Sequence, residues 1–239
     1  MEKKVAILQS NYIPWKGYFD LIASVDEFIL YDDMQYTRRD WRNRNVIKSN
    51  SGLLWLTIPV QVKGAFTQRI NETRVVDNSW IRKHQASINN FYAQTRYYAL
   101  FKDAIFDVYR SCENDSYLSH INYKFLIRIC QLLGIKTKIS WSSDYCLVEG
   151  KTERLVDLCK QAGATEYISG PAAKNYIVGE LFSNENIKLT WMDYSGYKEY
   201  GQLFPPFVHG VSMIDLLFNE GENAIHYMKI KQVCQETQE

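Results

Sequence analysis

Several features that would assign this chain to a special class are missing from it. No apolar run approaches transmembrane length, and Met-Glu-Lys-Lys at the N-terminus precedes only four apolar residues, too few for a signal peptide. Neither sign of charge is in excess. The chain has 28 Lys and Arg against 27 Asp and Glu, a formal +1, so no global field draws it to DNA or an acidic membrane, and any basic site must be local. The five cysteines, Cys112, Cys130, Cys146, Cys159 and Cys234, are odd in number and show no C-x-x-C spacing. This argues against a disulfide framework or a zinc site and fits reduced thiols in the cytoplasm. The sequence contains no G-x-x-x-x-G-K-[ST] loop, G-x-G-x-x-G fingerprint, G-x-S-x-G elbow, H-E-x-x-H helix or H-x-G-H motif. It also has no internal repeat, low-complexity stretch or long linker.

What is present reads as a soluble α/β protein. The 239 residues, 46% hydrophobic, are enough to bury a sizeable core in one domain spanning 1–232, with 233–239 as a frayed polar tail. Val5–Leu8 and Phe28–Tyr31 are short β-rich runs, and the apolar pattern of Tyr18–Val25 predicts a short helix between them. Strands are also expected at Leu53–Val60, where Pro59 favours an edge, and at Thr73–Val76. Asp77 or Asn78 can cap a helical segment over 79–133, broken near Thr95 and at Glu113–Ser116 and closed by Gly134. Strand at Thr137–Trp141, amphipathic helix at Lys151–Gln161 and strand at Glu166–Ser169 restore the alternation. The expected fold is a Rossmann-like, mainly parallel sheet with a helical block mid-chain.

Both early strands run directly into polar and aromatic residues, and in an open α/β sheet ligands bind at that edge. Tyr36, Arg38, Arg39, Trp41, Arg42, Asn43, Arg44 and Lys48 gather five cations and two aromatic rings, with Asp40 as the only acid. Guanidinium groups pair with phosphate oxygens and aromatic faces stack on a base, although a solvated basic hairpin would look the same. On a single strand, Arg42, Arg44 and Lys48 would share a face. Asp32 and Asp33 can hold a divalent metal, the minor reading, orient a ribose hydroxyl, accept a proton or satisfy loop N–H groups; no metal is assigned to the site. His84, at the start of a helix beside Lys83, is a candidate proton acceptor or a hydrogen-bonded core residue. His120, His209 and His226 offer less. The backbone of Ser169-Gly170 through Tyr176 follows a strand and can meet an anion. Tyr200 and Gln202 precede Phe204-Pro-Pro-Phe207, read as a loop that can fold onto the site, and Val211–Asn219 reads as a core helix stopped near Gly221.

Taken together, Gln9-x-x-Tyr-x-Pro-Trp-x-Gly-Tyr18, Asp32-Asp33, Trp41-Arg-Asn-Arg44, Trp55-Leu-x-x-Pro59, Tyr167-x-Ser-Gly170 and Ser212-x-x-Asp-x-Leu-Phe-Asn219 resemble the WbqC-like family over nearly the whole chain. Members sit among bacterial genes for O-antigen and related surface polysaccharides such as lipopolysaccharide, and the resemblance implies glycine transfer to an amino sugar. The pattern departs from the family in two places. Ser10 stands where a proline usually follows the Gln, and Tyr194-Ser-Gly-Tyr197 stands where a His-Pro pair is expected.

The resulting expectation is a cytoplasmic enzyme that transfers an acyl group, glycyl before any other, to the amine of a nucleotide-linked amino sugar. Arg42, Arg44 and Lys48 would hold the diphosphate, Tyr12, Trp15 and Trp41 would pack on base or sugar, and His84 or Asp33 would take the proton. Gln9, Asn11, Asp32, Tyr36, Asn43, Ser169, Gly170, Tyr176, Tyr200 and Gln202 would complete the substrate site. No cofactor is required beyond an activated glycyl donor, either charged tRNA or glycine with ATP. Neither DNA nor membrane insertion is expected. Two rivals stand beside this reading: a nucleotidyltransferase-like or ATP-dependent ligase enzyme, and a non-catalytic nucleotide-sugar-binding protein of a polysaccharide assembly complex.

Overall fold

The computed structural model describes residues 2–229. β1 (Lys4–Leu8), β2 (Glu27–Leu30), β5 (Lys138–Trp141), β6 (Glu166–Ser169) and β7 (Lys188–Trp191) form one sheet in the order β5-β2-β1-β6-β7. Every pairing in it is parallel. Counted along the chain, the sheet order is 3-2-1-4-5, the doubly wound arrangement of a Rossmann-like fold, and the winding reverses between β1 and β6. Leu8, Leu30 and Trp141 lie level with one another, so the strands deliver their following loops to one edge.

β1 is buried on both faces, which is why it reads as an unbroken apolar run rather than an alternation. Its side chains still alternate. Ala6 packs with Phe28 and Leu30 against α1 (Lys16–Ala23), the helical block and α7 (Met213–Glu220), whereas Val5 and Ile7 pack with Ile29 against Leu155, Val156 and Phe182. These last three belong to α5 (Thr152–Gln161) and α6 (Gly179–Ser183). The helical block is α2 (Ser79–Tyr92), α3 (Tyr98–Ser111) and α4 (Leu118–Leu132), interrupted at the two expected breaks. Ser79 N–H is capped by the Asp77 carboxylate at 2.8 Å, whereas Asn78 makes no side-chain cap. Gly134 follows α4 at φ +70°, and Ile135 N–H closes the helix end onto the Cys130 carbonyl at 2.9 Å.

Three expectations need correction. The strand expected over 53–60 is β4 (Gly52–Thr57), which ends before Pro59 and pairs antiparallel with β3 (Arg44–Ser49) in a separate two-stranded sheet. Residues 73–76 form no strand. They make isolated bridges, Val60 to Val75 and Arg74 to Tyr117, because the chain must turn at Asp77 to cap α2. β7 was not anticipated, since its sequence opens with an exposed lysine and alternates weakly. The polar tail and Cys234 lie outside the described residues. No described helix is long and apolar enough to cross a membrane.

Candidate functional site

The loop leaving β1, residues 9–15, is heavily braced at the edge of the sheet where the strands end. Ile13 sits at φ +39°, a conformation that β-branched residues rarely adopt and that costs about 1–3 kcal/mol unless the surroundings enforce it. They do so from several directions. Asn45 Nδ2 donates to the carbonyls of Tyr12 and Ile13 at 3.1 and 2.9 Å. Tyr12 N–H donates to Trp41 O at 3.0 Å, and Met213 N–H to Pro14 O at 2.9 Å. Ser10 N–H and Oγ both donate to the Asp32 carboxylate, at 2.8 and 2.7 Å, while Ser10 Oγ accepts from Asn122 Nδ2 at 3.0 Å.

Two cavities open beside this loop. One, of about 570 Å³, lies at the winding reversal and is lined by Gln9, Tyr31, Met34, Lys151, Arg154 and Tyr176 among others. The other, of about 270 Å³, is lined by Asn11, Pro14, Trp15, Trp41, Asn45 and Gly210. Arg42 joins them. Its guanidinium donates to Gln9 Oε1, on the wall of the first cavity, and to Asn11 Oδ1, on the wall of the second. Asp40 lies 3.7 Å from the same guanidinium. Burial opposes ionisation of Asp40, but the Thr37 hydroxyl and Arg42 hold its carboxyl below the usual range.

Gln9, Asn11, Trp15, Trp41, Arg42 and Tyr176 therefore come together around this pair of cavities. Several other expected site residues do not. Tyr12 is fully buried, its hydroxyl bonded to His84 Nδ1 at 2.9 Å and to the Tyr109 hydroxyl at 2.6 Å, so its ring cannot stack on a sugar or base. His84 lies in the same core cluster between Trp80 and Tyr109. Desolvation pushes its pKa down to about 4, so it is a neutral imidazole lining neither cavity. Tyr36 is buried, and Asn43 is spent on the Ile58 carbonyl at 2.8 Å.

The basic cluster also divides. Arg42 precedes β3; Arg44 lies over the Trp55 ring at 4.1 Å and bonds to the Arg39 carbonyl; Lys48 is buried and bonds to the Pro206 carbonyl. Residues four apart on a strand are separated by about 13 Å, so a shared face did not bring Arg44 and Lys48 to one ligand. The two aspartates likewise serve different partners, although β2 ends before them and strand alternation no longer forces them apart. Asp32 turns to Ser10, and burial pushes its pKa up to about 6 against the Ser10 bonds and the charge of Arg42. Asp33 accepts from Ser142 Oγ at 2.6 Å and Asn71 Nδ2 at 3.1 Å, with Arg69 3.7 Å away.

Tyr200 and Gln202 serve a buried brace. Both donate to Asp215 Oδ1, at 2.6 and 3.0 Å, and Tyr92 donates to Asp215 Oδ2 at 2.7 Å. Ser169 ends β6 and Gly170 follows it; neither lines either cavity, and Ser169, buried, receives the Tyr167 hydroxyl on its Oγ at 3.3 Å. Residues overlooked in the sequence are Ser10, Tyr31, Met34, Asn45, Asn122, Lys151 and Arg154. The one available signal was Gly150-Lys-Thr152 ahead of an amphipathic helix. Among the described residues no group of three or more His, Cys, Asp or Glu gathers to hold a metal.

The sequence signature of the WbqC-like protein family matches residues 9–227, from the loop after β1 to the turn after α7. The chain belongs to the WbqC-like protein family. The uncharacterized protein Rv1507c of Mycobacterium tuberculosis is 52% identical over 227 residues, covering 95% of this chain and 98% of that protein. No solved structure matches. The family's matched region thus includes the strained loop, the Arg42 bridge, and the lining of both cavities apart from Ile7 and Leu8.

Proposed function

We propose that this WbqC-like protein transfers an acyl group, glycyl by the family resemblance, to the amine of a nucleotide-linked amino sugar. The observation that carries the reading is the Gln9–Arg42–Asn11 bridge, in which one guanidinium is bonded to a wall residue of each of two cavities beside the loop after β1 of a doubly wound sheet. A two-substrate transfer needs this arrangement: one cavity for each substrate, and a positive group where their reacting atoms meet.

Amide formation requires an oriented neutral amine, an activated carbonyl and stabilisation of the oxyanion that develops as the C–N bond forms. Arg42, held in place by two amide oxygens, supplies the last. The N–H proton leaves with the departing oxygen of the glycyl ester or acyl phosphate, so the balance does not depend on His84. Trp15 and Trp41 offer apolar faces in the smaller cavity, and Asn11 and Asn45 offer polar groups beside them.

The test is turnover. The purified protein is supplied with a panel of 3-amino and 4-amino sugar nucleotides and either glycyl-tRNA or glycine plus ATP, and the sugar nucleotide is weighed by mass spectrometry. The expected outcome is the mass of one added glycyl group. Absence of product across the panel with both donors would reject glycyl transfer, and ADP or AMP release without amide would favour the ligase class.

A further inference from the structure

The larger cavity has a composition that the expected phosphate site does not. Two cations, Lys151 and Arg154, line it together with Tyr31, Tyr167 and Tyr176, and no carboxylate is among its lining residues. Glu153, in the same helical turn, lines a different depression with Asp157 and Glu185. Among the described residues neither Lys151 nor Arg154 makes a salt bridge. Arg154 is nevertheless oriented: its Nε donates to the Val148 carbonyl at 2.5 Å, which leaves the terminal nitrogens to the neighbouring Tyr31 hydroxyl and a weak contact with Met34 Sδ at 3.8 Å. A thioether is a poor acceptor, so an anion reaching the guanidinium would replace it at a gain.

The walls are built to persist. Thr152 Oγ1 donates to the Tyr176 carbonyl at 3.4 Å and accepts from Val178 N–H at 3.2 Å, tying the Tyr176 segment to the start of α5. The Tyr176 ring, 56% exposed, stands at the mouth, and Tyr31 lies inside beside Arg154. The volume, about 570 Å³, falls within the range of small-molecule pockets.

We propose that this cavity seats a nucleoside diphosphate, with Arg154 and Lys151 on the phosphates and Tyr31 and Tyr176 against the base. The proposal deepens, and rests on, the reading of this protein as an enzyme of nucleotide-linked sugars. It moves the phosphate contacts from Arg44 and Lys48, whose cations are engaged elsewhere, to Arg154 in the first turn of α5 and Lys151 just before it. The sugar then extends past Gln9 toward Arg42, which leaves the smaller cavity for the acyl donor.

Calorimetric titration with UDP, GDP, ADP and dTDP, and with inorganic pyrophosphate, tests the site without turnover. At least one nucleoside diphosphate should bind the wild type more tightly than pyrophosphate does. Arg154→Ala should weaken that binding about 10- to 100-fold, the usual range for a charge-assisted contact. Lys151→Glu, at an exposed position where folding is not at stake, should weaken it similarly. Wild-type affinity in both variants, a larger loss in Arg42→Ala than in either, or no nucleotide binding at all would each overturn the assignment. Pyrophosphate binding as tightly as every nucleotide would remove the tyrosines from it. Arg154-dependent nucleotide binding without amide product would reject acyl transfer and leave the pocket standing. Amide formation with an unchanged KM in both variants would do the reverse.

Discussion

Asp32→Asn should make the protein sensitive to mild acid, and the size of the effect follows from two buried groups that titrate in opposition. Asp32 is 1% exposed, and burial raises its pKa from 3.8 to about 6 in the fold. Between those values the folded protein binds more protons than the unfolded chain, so Asp32 adds stability as pH falls. That stability is complete below the unfolded pKa and is lost as pH rises through the folded one. His84 behaves in the opposite sense. Desolvation lowers its pKa from 6.5 to about 4, so the unfolded chain takes up the proton first and stability falls with pH through that interval. From pH 7.5 to 4.5, integrating each shift gives about +2 kcal/mol from Asp32 and about −2.5 kcal/mol from His84, nearly cancelling in the wild type. Removing the carboxylate leaves the histidine unopposed. Urea unfolding at the two pH values should therefore show Asp32→Asn losing about 2 kcal/mol more than the wild type over this range. The comparison isolates Asp32, because every other group titrates in both proteins. Equal losses would mean that Asp32 is not held up by burial, and the account of the Ser10 loop as desolvated and braced would fail with it.

Three further outcomes are expected. Tyr12→Phe, which deletes the hydroxyl shared by His84 and Tyr109, should cost about 1–3 kcal/mol in denaturant unfolding while leaving nucleotide-sugar affinity unchanged; a loss of affinity without a loss of stability would return Tyr12 to the site. Gly150→Ala should destabilise by about 1–2 kcal/mol, because Gly150 sits at φ +97° and an added Cβ would also crowd Glu153; a thermal midpoint equal to wild type would contradict this. Arg42→Ala should lower kcat of the transfer about 10²–10³-fold, as removal of an oxyanion donor does, and a change confined to KM would make Arg42 a binding group only.

The centre of the sheet was legible because buried strands appear as short apolar runs between turn residues, as β1 and β2 do, whereas β5, an edge strand exposed at Lys138, was read from its place after the Gly134 helix stop. β7 escaped because Lys188–Trp191 is an edge strand exposed at its start, whose parallel pairing with β6 is a long-range fact. The place of the candidate site, the loop after β1, was proposed for the same reason as the sheet: polar and aromatic residues directly after a buried strand must face something at the sheet's edge. Which of those side chains remain free to meet a ligand was not. Asn43, Arg44 and Lys48 share the composition of a phosphate site, but backbone carbonyls at Ile58, Arg39 and Pro206 take up their donors, and nothing in local spacing announces a partner some 158 residues away. Lys151 and Arg154 were overlooked for the complementary reason. Cations in the first turn of an amphipathic helix have the pattern of a solvated face, and only the winding of the sheet turns that face toward a cavity.

The same contacts give the helical block a purpose beyond filling one side of the sheet. Each of its helices reaches the loop after β1: α2 through His84 to Tyr12, α3 through Tyr109 to Tyr12, and α4 through Asn122 to Ser10 and to the Arg42 carbonyl. α7 adds Met213 N–H to the Pro14 carbonyl, and β3 adds Asn45. A β-branched residue at positive φ is retained only where its surroundings over-determine it, and here five elements converge on the segment that carries Gln9, Asn11 and Trp15. His84 and Tyr12 thus contribute to the site from beneath it, by fixing the backbone from which the groups facing the cavities project. Loosening the clamp should therefore blunt the transfer proposed for Arg42 without altering any group proposed to touch a ligand, since Arg42 is only as well placed as the loop that carries its two amide acceptors.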